Sequence, residues 1–320
     1  MTNDEHEHDY ERAISMPTPL AYLNGRFLPF DELKISPHDA GFVQGVTVAE
    51  QLRTFNGELF RLDQHLARLG RSLATIGVDP GHSLERLGEI GRHLVEHNRP
   101  LLAEGDDVGL SIFVTPGPYG TFAPAGASGP TVALHTYPVA FAGFADKYAA
   151  GERLAISDVR QVPDNCWPAD LKCRSRMHYF LADRDARTRY PGARALLLDQ
   201  DGWVCEASTA NVFLYRADEG FVSPPGEAIL PGITVAACSE LAGKLGLAWR
   251  ERQIAPPEVK GADEVFLCST SPCVLPVVQI DDTPIGGGKP GPIYQQLLAA
   301  FSQLVGLDIA AQARKFAART

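Results

Sequence analysis

Apolar residues in the first hundred positions either alternate with polar ones or recur at helical spacing. An alternating run at 21–30, AYLNGRFLPF, has Asn-Gly at its centre and predicts a β-hairpin. One helical stripe shares a spacing of three or four residues: Leu62, His65, Leu66, Leu69 and Leu73. Gly77 suits the end of that helix, and a second helix is expected over 83–96.

The apolar runs at 109–115 and 131–137 predict two strands, which flank a loop rich in glycine, proline and alanine. That loop is long and irregular for a turn, which favours a lid or a substrate-facing segment. Together with the hairpin and helices, these strands predict an α+β domain over 18–145. Residues 1–17 carry charge and little to bury, which predicts a disordered tail.

A second domain is predicted over 150–320, with the boundary inside 139–151. Its pattern opens with a strand at 154–159, continues with a helix at 171–190 and closes with a helix at 292–305. Shorter strands are expected at 247–254, 264–268 and 274–279. No internal repeat interrupts this order.

The stretch 193–234 organises this second domain. A strand at 195–198 turns on Asp201-Gly202 and resumes through 212–214, and Glu206 lies at the start of the returning strand. At 230–234, Leu-Pro-Gly-Ile-Thr leads into a helical pattern, so its backbone N–H groups could hold an anion. By themselves these features are more typical of a solvated strand carboxylate and an ordinary helix start.

Composition narrows the class of protein. The chain has 320 residues, of which 45% are hydrophobic and 21% charged, as in globular proteins. A net charge of −10 argues against a nucleic-acid surface, and no apolar run reaches membrane-spanning length. The six cysteines include no CxxC pair, so we expect buried thiols, a cytoplasmic location and no metal site.

Several motifs then occur together in a fixed order. They are Asn24-Gly25, the segment 39–50, His65-x-x-Arg68-Leu69, Lys172 with Ala186 fourteen residues later, Glu206-x-x-x-x-Asn211-x-Phe213, Leu230 to Thr234, and 263–266 leading to Thr270. In this order the chain resembles the class IV, or fold type IV, pyridoxal-phosphate enzymes. These include branched-chain and D-amino-acid aminotransferases and aminodeoxychorismate lyases. The resemblance implies a two-domain α+β fold, with a smaller N-terminal α/β sandwich and a larger C-terminal pseudo-barrel domain.

The resemblance also implies the cofactor, pyridoxal 5′-phosphate, and a role for each matching residue. Lys172 forms the Schiff base and moves the proton, and Glu206 holds the pyridine nitrogen protonated. The phosphate is expected on Arg68, on the backbone N–H groups of Ile233 and Thr234, and on Thr270. Homodimerisation, with a loop of the other subunit completing each site, is the family habit and is expected here.

The chain departs from the best-known pockets of the family. Arg176-Met177 replaces the Asn-Tyr of branched-chain enzymes, and Thr115-Pro116-Gly117 replaces the arginine-containing clamp of D-amino-acid enzymes. Gln44, Ala49, Arg176 and Ser271 are the candidate substrate residues. Arg174 or Arg176 is a candidate for a substrate carboxylate.

Three functions remain open from the sequence. The first is an aminotransferase that passes an amino group from an amino acid or amine to a 2-oxo acid. The second is a lyase of the aminodeoxychorismate type, which Arg176 favours and the missing arginine clamp opposes. The third is a non-catalytic binding protein on the same scaffold, against which the joint presence of Lys172, Glu206 and Arg68 argues.

Overall fold

A computed structural model describes residues 18–123 and 125–319. The predicted tail at 1–17 lies outside these residues. Contacts within the described chain divide it into two units. The first comprises residues up to 139 together with 171–175, and the second comprises 140–170 and everything from 176 onward. The division falls between Val139 and Ala140, and the short segment 171–175 returns to the first unit.

The first unit contains one antiparallel sheet and two long helices. The strands are β1 Leu20–Leu23, β2 Arg26–Pro29, β3 Val48–Phe55, β4 Glu58–Leu59, β5 Val108–Thr115 and β6 Thr131–Pro138. The helices are α1 Ala40–Val43, α2 Leu62–Ile76 and α3 Leu84–Asn98, with short 3-10 turns at Phe30–Glu32 and Arg99–Leu101. The strand order is β2-β1-β6-β5-β3-β4.

Apolar side chains at alternate positions along the strands form one face of this sheet, which packs against α2 and α3. The core is formed by leucine, isoleucine and valine side chains of both helices and the four longest central strands, among them Val48, Leu52, Leu69, Ile90 and Ile112. The predicted hairpin is confirmed, since Leu23 pairs with Arg26 and both turn residues have positive φ. The α2 stripe is confirmed as well, and Gly77 ends the helix in the left-handed conformation.

The second unit is built on a nine-stranded sheet. Its strands are β7 Glu152–Ile156, β8 Arg194–Leu198, β9 Val204–Ala207, β10 Ala210–Arg216, β11 Gly220–Ser223, β12 Trp249–Glu251, β13 Glu264–Ser269, β14 Cys273–Ile280 and β15 Thr283–Pro284. Its helices are α4 Lys147–Ala150, α5 Met177–Arg189, α6 Ile233–Lys244, α7 Pro256–Lys260, α8 Pro292–Val305 and α9 Ile309–Phe316. Short 3-10 turns occur at Phe141–Gly143 and Gly226–Ala228.

This sheet closes on itself. The order runs β12-β11-β10-β13-β14-β7-β8-β9, and β9 also pairs with β10 through Ala207↔Ala210 and Glu206↔Asn211. Six strands, β10, β13, β14, β7, β8 and β9, therefore form a ring, as expected for the pseudo-barrel. Closure leaves those strands without open edges, and it places Glu206 inside the ladder that completes the ring.

Three predicted elements differ from the structure. The helix expected over 171–190 begins only at Met177, because residues 172–174 pair with the start of β3 instead. The strand expected over 247–254 is reduced to Trp249–Glu251, which pairs with the outer strand β11. The returning strand of the 193–234 stretch is two strands, joined by a turn in which Thr209 has φ of 62°.

In the described part of the chain, no helix combines the length and the apolar character needed to cross a membrane.

Candidate active site

Lys172 lies in an extended segment that is held on both sides. Its carbonyl oxygen accepts the N–H of Ala49 at 3.0 Å, and its own N–H donates to Ser72 Oγ on α2 at 3.2 Å. Two residues later, the N–H of Arg174 donates to the carbonyl oxygen of Thr47 at 2.8 Å. The lysine is half-buried on a fixed backbone, which is what a residue that holds a cofactor covalently requires.

Arg68 belongs to a buried ionic cluster in the same unit. Its Nε donates to Glu50 Oε1 at 2.7 Å and its Nη2 to Glu50 Oε2 at 2.8 Å, while His65 Nδ1 lies 2.7 Å from Glu50 Oε2. Burial alone would raise the pKa of Glu50, but the hydrogen bonds from Arg68 and His65 bring it down to about 2. Burial lowers the pKa of His65, so the neutral ring donates its Nδ1 hydrogen to the carboxylate.

The Glu50 carboxylate therefore fixes the orientation of the Arg68 guanidinium through a two-point contact. Sequence reasoning missed this role for Glu50, and it gave His65 no role beyond its place in the α2 stripe and in the His65-x-x-Arg68-Leu69 motif. The available signal was the histidine itself, the one polar member of that stripe.

Glu206 is the central residue of the group that lies in the second unit. It is 4% exposed on β9, and its Oε1 accepts hydrogen bonds from the Gln161 amide at 2.6 Å and from the Tyr179 hydroxyl. The N–H of Leu230 approaches Oε2 at 3.4 Å. All three of these donors are neutral, so they orient the carboxylate without neutralising its charge.

Tyr179 and Gln161 were not predicted as site residues. Tyr179 is on α5, whose sequence has no clean apolar stripe, so periodicity gave no signal for its position. Helix α5 is held against β7 and β8 by small side chains, among them Ala155, Ala182, Ala186 and Ala195. Burial, followed by the charge of Glu206, raises the pKa of Tyr179 well above its usual value, so the phenol stays a hydrogen-bond donor.

The predicted anion site at Gly232 is the N-terminus of α6, which starts at Ile233. Asn211 fixes the preceding loop, since its Nδ2 donates to the carbonyl oxygen of Leu230 at 2.8 Å. A Cβ atom at Gly232 would collide with Asn211 Oδ1, so only glycine fits here. The first backbone N–H groups of a helix have no acceptor within the helix, which leaves those of Ile233 and Thr234 for an anion.

The remaining predicted residues are placed as follows. Thr270 and Ser271 lie in the tight turn between β13 and β14, whose closing pair is Ser269↔Cys273. Arg176 is the half-buried residue that precedes α5. In the first unit, Gln44 is exposed at the end of α1, whereas Ala49 is 2% exposed on β3.

These residues fit pyridoxal phosphate within each unit. The first unit presents a lysine on a pinned backbone and an oriented arginine. The second presents a buried carboxylate with neutral donors, a helix that starts at a glycine without a side chain, and a turn with two hydroxyl residues. Such groups suit the aldehyde, the ring nitrogen and the phosphate of this cofactor.

The chain is similar to proteins of known family over most of its length. The family model described as amino-transferase class IV matches residues 47–280. The D-alanine aminotransferase of Bacillus licheniformis is 30% identical over 284 residues, which cover 88% of this chain and 96% of that protein. The D-alanine aminotransferase of Staphylococcus aureus strain N315 is 30% identical over 285 residues, covering 89% and 97%.

Solved structures of similar shape belong to the same family. The Escherichia coli branched-chain amino acid aminotransferase has a TM-score of 0.81 and 25% identity, with 90% of this chain and 95% of that chain covered. The branched-chain aminotransferase of the archaeon Thermoproteus uzoniensis, solved with norvaline, has a TM-score of 0.76 and 28% identity at the same coverage. Another branched-chain aminotransferase of this shape was solved with pyridoxamine 5′-phosphate, the amino form of the expected cofactor. The predicted family, two-domain α+β fold and cofactor are confirmed: the chain belongs to the class IV aminotransferases, a family of pyridoxal-phosphate-dependent enzymes of fold type IV.

Proposed function

We propose that this enzyme moves an amino group between an amino acid or amine and a 2-oxo acid, with Lys172 as the covalent attachment point of the cofactor. The observation that carries the assignment of roles is Glu206, a buried carboxylate whose Oε1 accepts hydrogen bonds from the neutral Gln161 amide and Tyr179 hydroxyl. Pyridoxal phosphate, when bound, supplies the electron sink that makes the Cα–H bond of the amino donor acidic.

Each residue of the chain then has a defined task. Glu206 holds a proton on the ring nitrogen, because a nearby anion favours the protonated form of that nitrogen. Lys172, once the amino donor has displaced it, takes the proton from Cα as a free amine and returns it. Its pinned backbone limits the positions that this amine can reach.

The phosphate is proposed to bind Arg68, the N–H groups of Ile233 and Thr234, and the Thr270 hydroxyl. Charge-assisted hydrogen bonds and a helix N-terminus both favour a phosphate dianion. Glu50 orients the Arg68 fork for this contact. Gln44, Ala49, Arg176 and Ser271 remain the proposed substrate contacts. Because the relatives are D-alanine and branched-chain aminotransferases, donor screens should include both D-alanine and branched-chain amino acids.

We also propose a homodimer in the cytoplasm. Large apolar side chains are unusually exposed for a monomer: Phe42 at 76%, Met177 at 70% and Phe180 at 66%. Met177 and Phe180 lie one turn apart on α5, so they form one apolar strip. Phe180→Glu should therefore lower the molar mass measured by light scattering, whereas Leu304→Glu, at a less exposed position on α8, should not.

All six cysteines are free thiols, which suits a reducing compartment.

Borohydride reduction of the holoenzyme followed by peptide mapping tests the central assignment. The pyridoxyl label should be found on Lys172, and Lys172→Ala should abolish both the label and turnover. A label on Lys147, Lys244 or Lys260 would refute the assignment.

Oxo-acid formation without pyruvate release from an aminodeoxychorismate substrate would distinguish the transaminase from a lyase. A protein that takes up no cofactor would support the non-catalytic alternative.

A further inference from the structure

The sheet of the first unit has one face packed on helices and one face with a different character. Strand register places alternate residues on that second face, through the pairs Ala49↔Phe113, Gln51↔Ser111 and Ser111↔His135. Their sequence neighbours, such as Val48, Leu52, Ile112 and Leu134, are in the helix-packed core. The second face is therefore the polar and aromatic side of the sheet.

The segment that carries Lys172 presents its side chains to this second face. Cys173 pairs with Val48, and directly opposed residues share a face, so Cys173 lies on the core side. Side chains alternate along an extended segment, so Lys172 and Arg174 project to the other side. The position of the Arg174 side chain agrees with this alternation, because its Nη2 donates to Ser111 Oγ at 3.0 Å.

That contact requires Arg174 to cross β3, since Ser111 is on β5 and the Lys172 segment pairs with the start of β3. On this face of β3, Ala49 lies between Thr47, which accepts the Arg174 N–H, and Gln51, which pairs with Ser111, and its side chain is only a methyl group. Ser111 is 1% exposed and fixed in the middle of its strand, so it anchors the guanidinium at one point. The small residue at 49 and the hydroxyl at 111 together define where this cation lies.

The charge on this face is positive. Besides Arg174, the face carries Arg53 on β3, and the positive charge of Arg174 reaches the side chains of His135 and Tyr137. None of the described positions of β1, β3, β5 and β6 on this face is acidic: Ala21, Leu23, Ala49, Gln51, Arg53, Phe55, Gly109, Ser111, Phe113, Thr115, Thr131, Ala133, His135 and Tyr137. On β4 the exposed Glu58 pairs with Phe55, at the opposite end of β3 from the residues that pair with the Lys172 segment. A carboxylate ligand beside Arg174 would be attracted by the positive charge of this part of the face.

We propose that Arg174, positioned by Ser111, binds a carboxylate of the substrate, so that the enzyme takes amino acids and 2-oxo acids in preference to plain amines. The inference rests on the proposed transaminase function, with Lys172 as the reacting lysine. Arg174 follows Lys172 by two residues on the same side of the segment, and a guanidinium fork matches a carboxylate at two points. In D-amino-acid enzymes an arginine-containing clamp occupies the place of Thr115-Pro116-Gly117. Arg174 would supply the positive charge that Pro116 lacks.

Kinetics of the donor half-reaction, in which no 2-oxo acid takes part, test the proposal with three donors. D-alanine has only an α-carboxylate, D-glutamate adds a second one, and isopropylamine has none. Arg174→Gln should raise KM about tenfold or more for a carboxylate donor, by loss of a charge-assisted contact, and leave isopropylamine unchanged. A raised KM for both D-alanine and D-glutamate would show that Arg174 binds the α-carboxylate. A raised KM for D-glutamate alone would show that it binds the second carboxylate. Arg174→Lys should recover part of the loss.

An equal loss with all three donors, or no loss with any, would overturn the proposal. Arg187→Gln, which removes an exposed arginine of α5, is the matched control and should change none of these values.

A binding measurement separates this proposal from the proposed function, because it needs no turnover. In the holoenzyme, NMR titration of His135 with propionate should show its pKa rise on binding, since a carboxylate offsets the positive charge of Arg174. Arg174→Gln should raise that pKa without ligand and remove the response to propionate. A response that survives in Arg174→Gln would overturn the proposal even if the enzyme transaminates. A response that Arg174→Gln removes would support it even if no donor is turned over.

Discussion

The hydroxyl of Tyr179 donates a hydrogen bond to Oε1 of Glu206, and so joins the first turn of α5 to the strand that closes the barrel. Tyr179 follows Lys172 by seven residues, two positions after Met177, which stands where branched-chain enzymes carry a tyrosine. The chain therefore supports the proposed ring partner with a residue that the motif comparison did not single out.

Removing this hydroxyl should weaken Glu206 without unfolding the barrel. Tyr179→Phe leaves Oε1 with the Gln161 amide and removes a hydrogen bond to a charged group, worth about 1.5–3 kcal/mol. We expect turnover at neutral pH to fall about tenfold in the variant and its pH dependence to change. Gln161→Leu should act in the same direction. Unchanged pH–rate profiles in both variants would contradict a positioning role for Tyr179.

The same phenol gives an alkaline signature. Because the pKa of Tyr179 is raised above its usual value, the unfolded chain releases this proton at lower pH than the folded protein does. The free energy of unfolding should therefore fall as pH rises above about 10, the ordinary tyrosine value. Ultraviolet difference titration should show a late-titrating tyrosine that is missing in Tyr179→Phe.

Glu50 should be the acidic residue whose loss most disturbs the first unit. Glu50→Gln leaves the buried Arg68 guanidinium without its counter-charge, which should cost on the order of 3 kcal/mol in urea unfolding and weaken cofactor affinity. The exposed pair Arg86–Glu89 supplies the control: Glu89→Gln should change stability by less than about 1 kcal/mol.

Protonation of Glu50 at low pH should reduce the stability of the protein as the Glu50→Gln substitution does. The pKa of Glu50 is lowered from 4.5 to about 2, so its contribution is complete above pH 4.5 and disappears as pH falls toward 2. The stability difference between the wild type and Glu50→Gln should shrink over that same interval. A difference that stays constant down to pH 2 would show that the charge of Glu50 is not responsible.

Gly232 is the glycine that tests the phosphate site, and Gly243 in the same helix is its control. Gly232→Ala forces a Cβ against Asn211 Oδ1 and should weaken affinity for pyridoxal phosphate about tenfold or more, measured by fluorescence titration. Gly243 lies in the same helix with open space around it, so Gly243→Ala should leave affinity unchanged and add about 0.5–1 kcal/mol of stability. Equal affinities in the two variants would remove the α6 start from the phosphate site.

Glu206→Gln tests the electronic role of the carboxylate. The amide keeps the shape but not the charge, so the cofactor should still bind while Cα deprotonation slows strongly. Glu206→Asp should recover little, because its carboxylate is one methylene short on the same strand. Near-normal single-turnover rates in the Gln variant, with cofactor bound, would move the ring partner elsewhere.

The sequence by itself determined the elements whose signal is local. The Asn24-Gly25 hairpin, the α2 stripe with its Gly77 cap and the helix at 292–305 each follow from turn chemistry or from periodicity within a dozen residues. The order of the motifs was also in the sequence, and it identified the family and the cofactor. The assignments of Lys172, Arg68 and Glu206 to particular atoms of the cofactor remain predictions.

Only the tertiary structure decided what surrounds those residues. Periodicity predicted a helix from 171 onward, but backbone hydrogen bonds to the start of β3 hold 172–174 extended, and the Arg174 side chain reaches Ser111 on β5. Glu50 meets Arg68 across 18 residues, and Tyr179 meets Glu206 across 27. Contacts of this range depend on how strands register and how the barrel closes, and no repeat in the sequence records them. A buried charge is stabilised by whatever donors the fold brings to it, which is why the carboxylates could be named in advance and their partners could not.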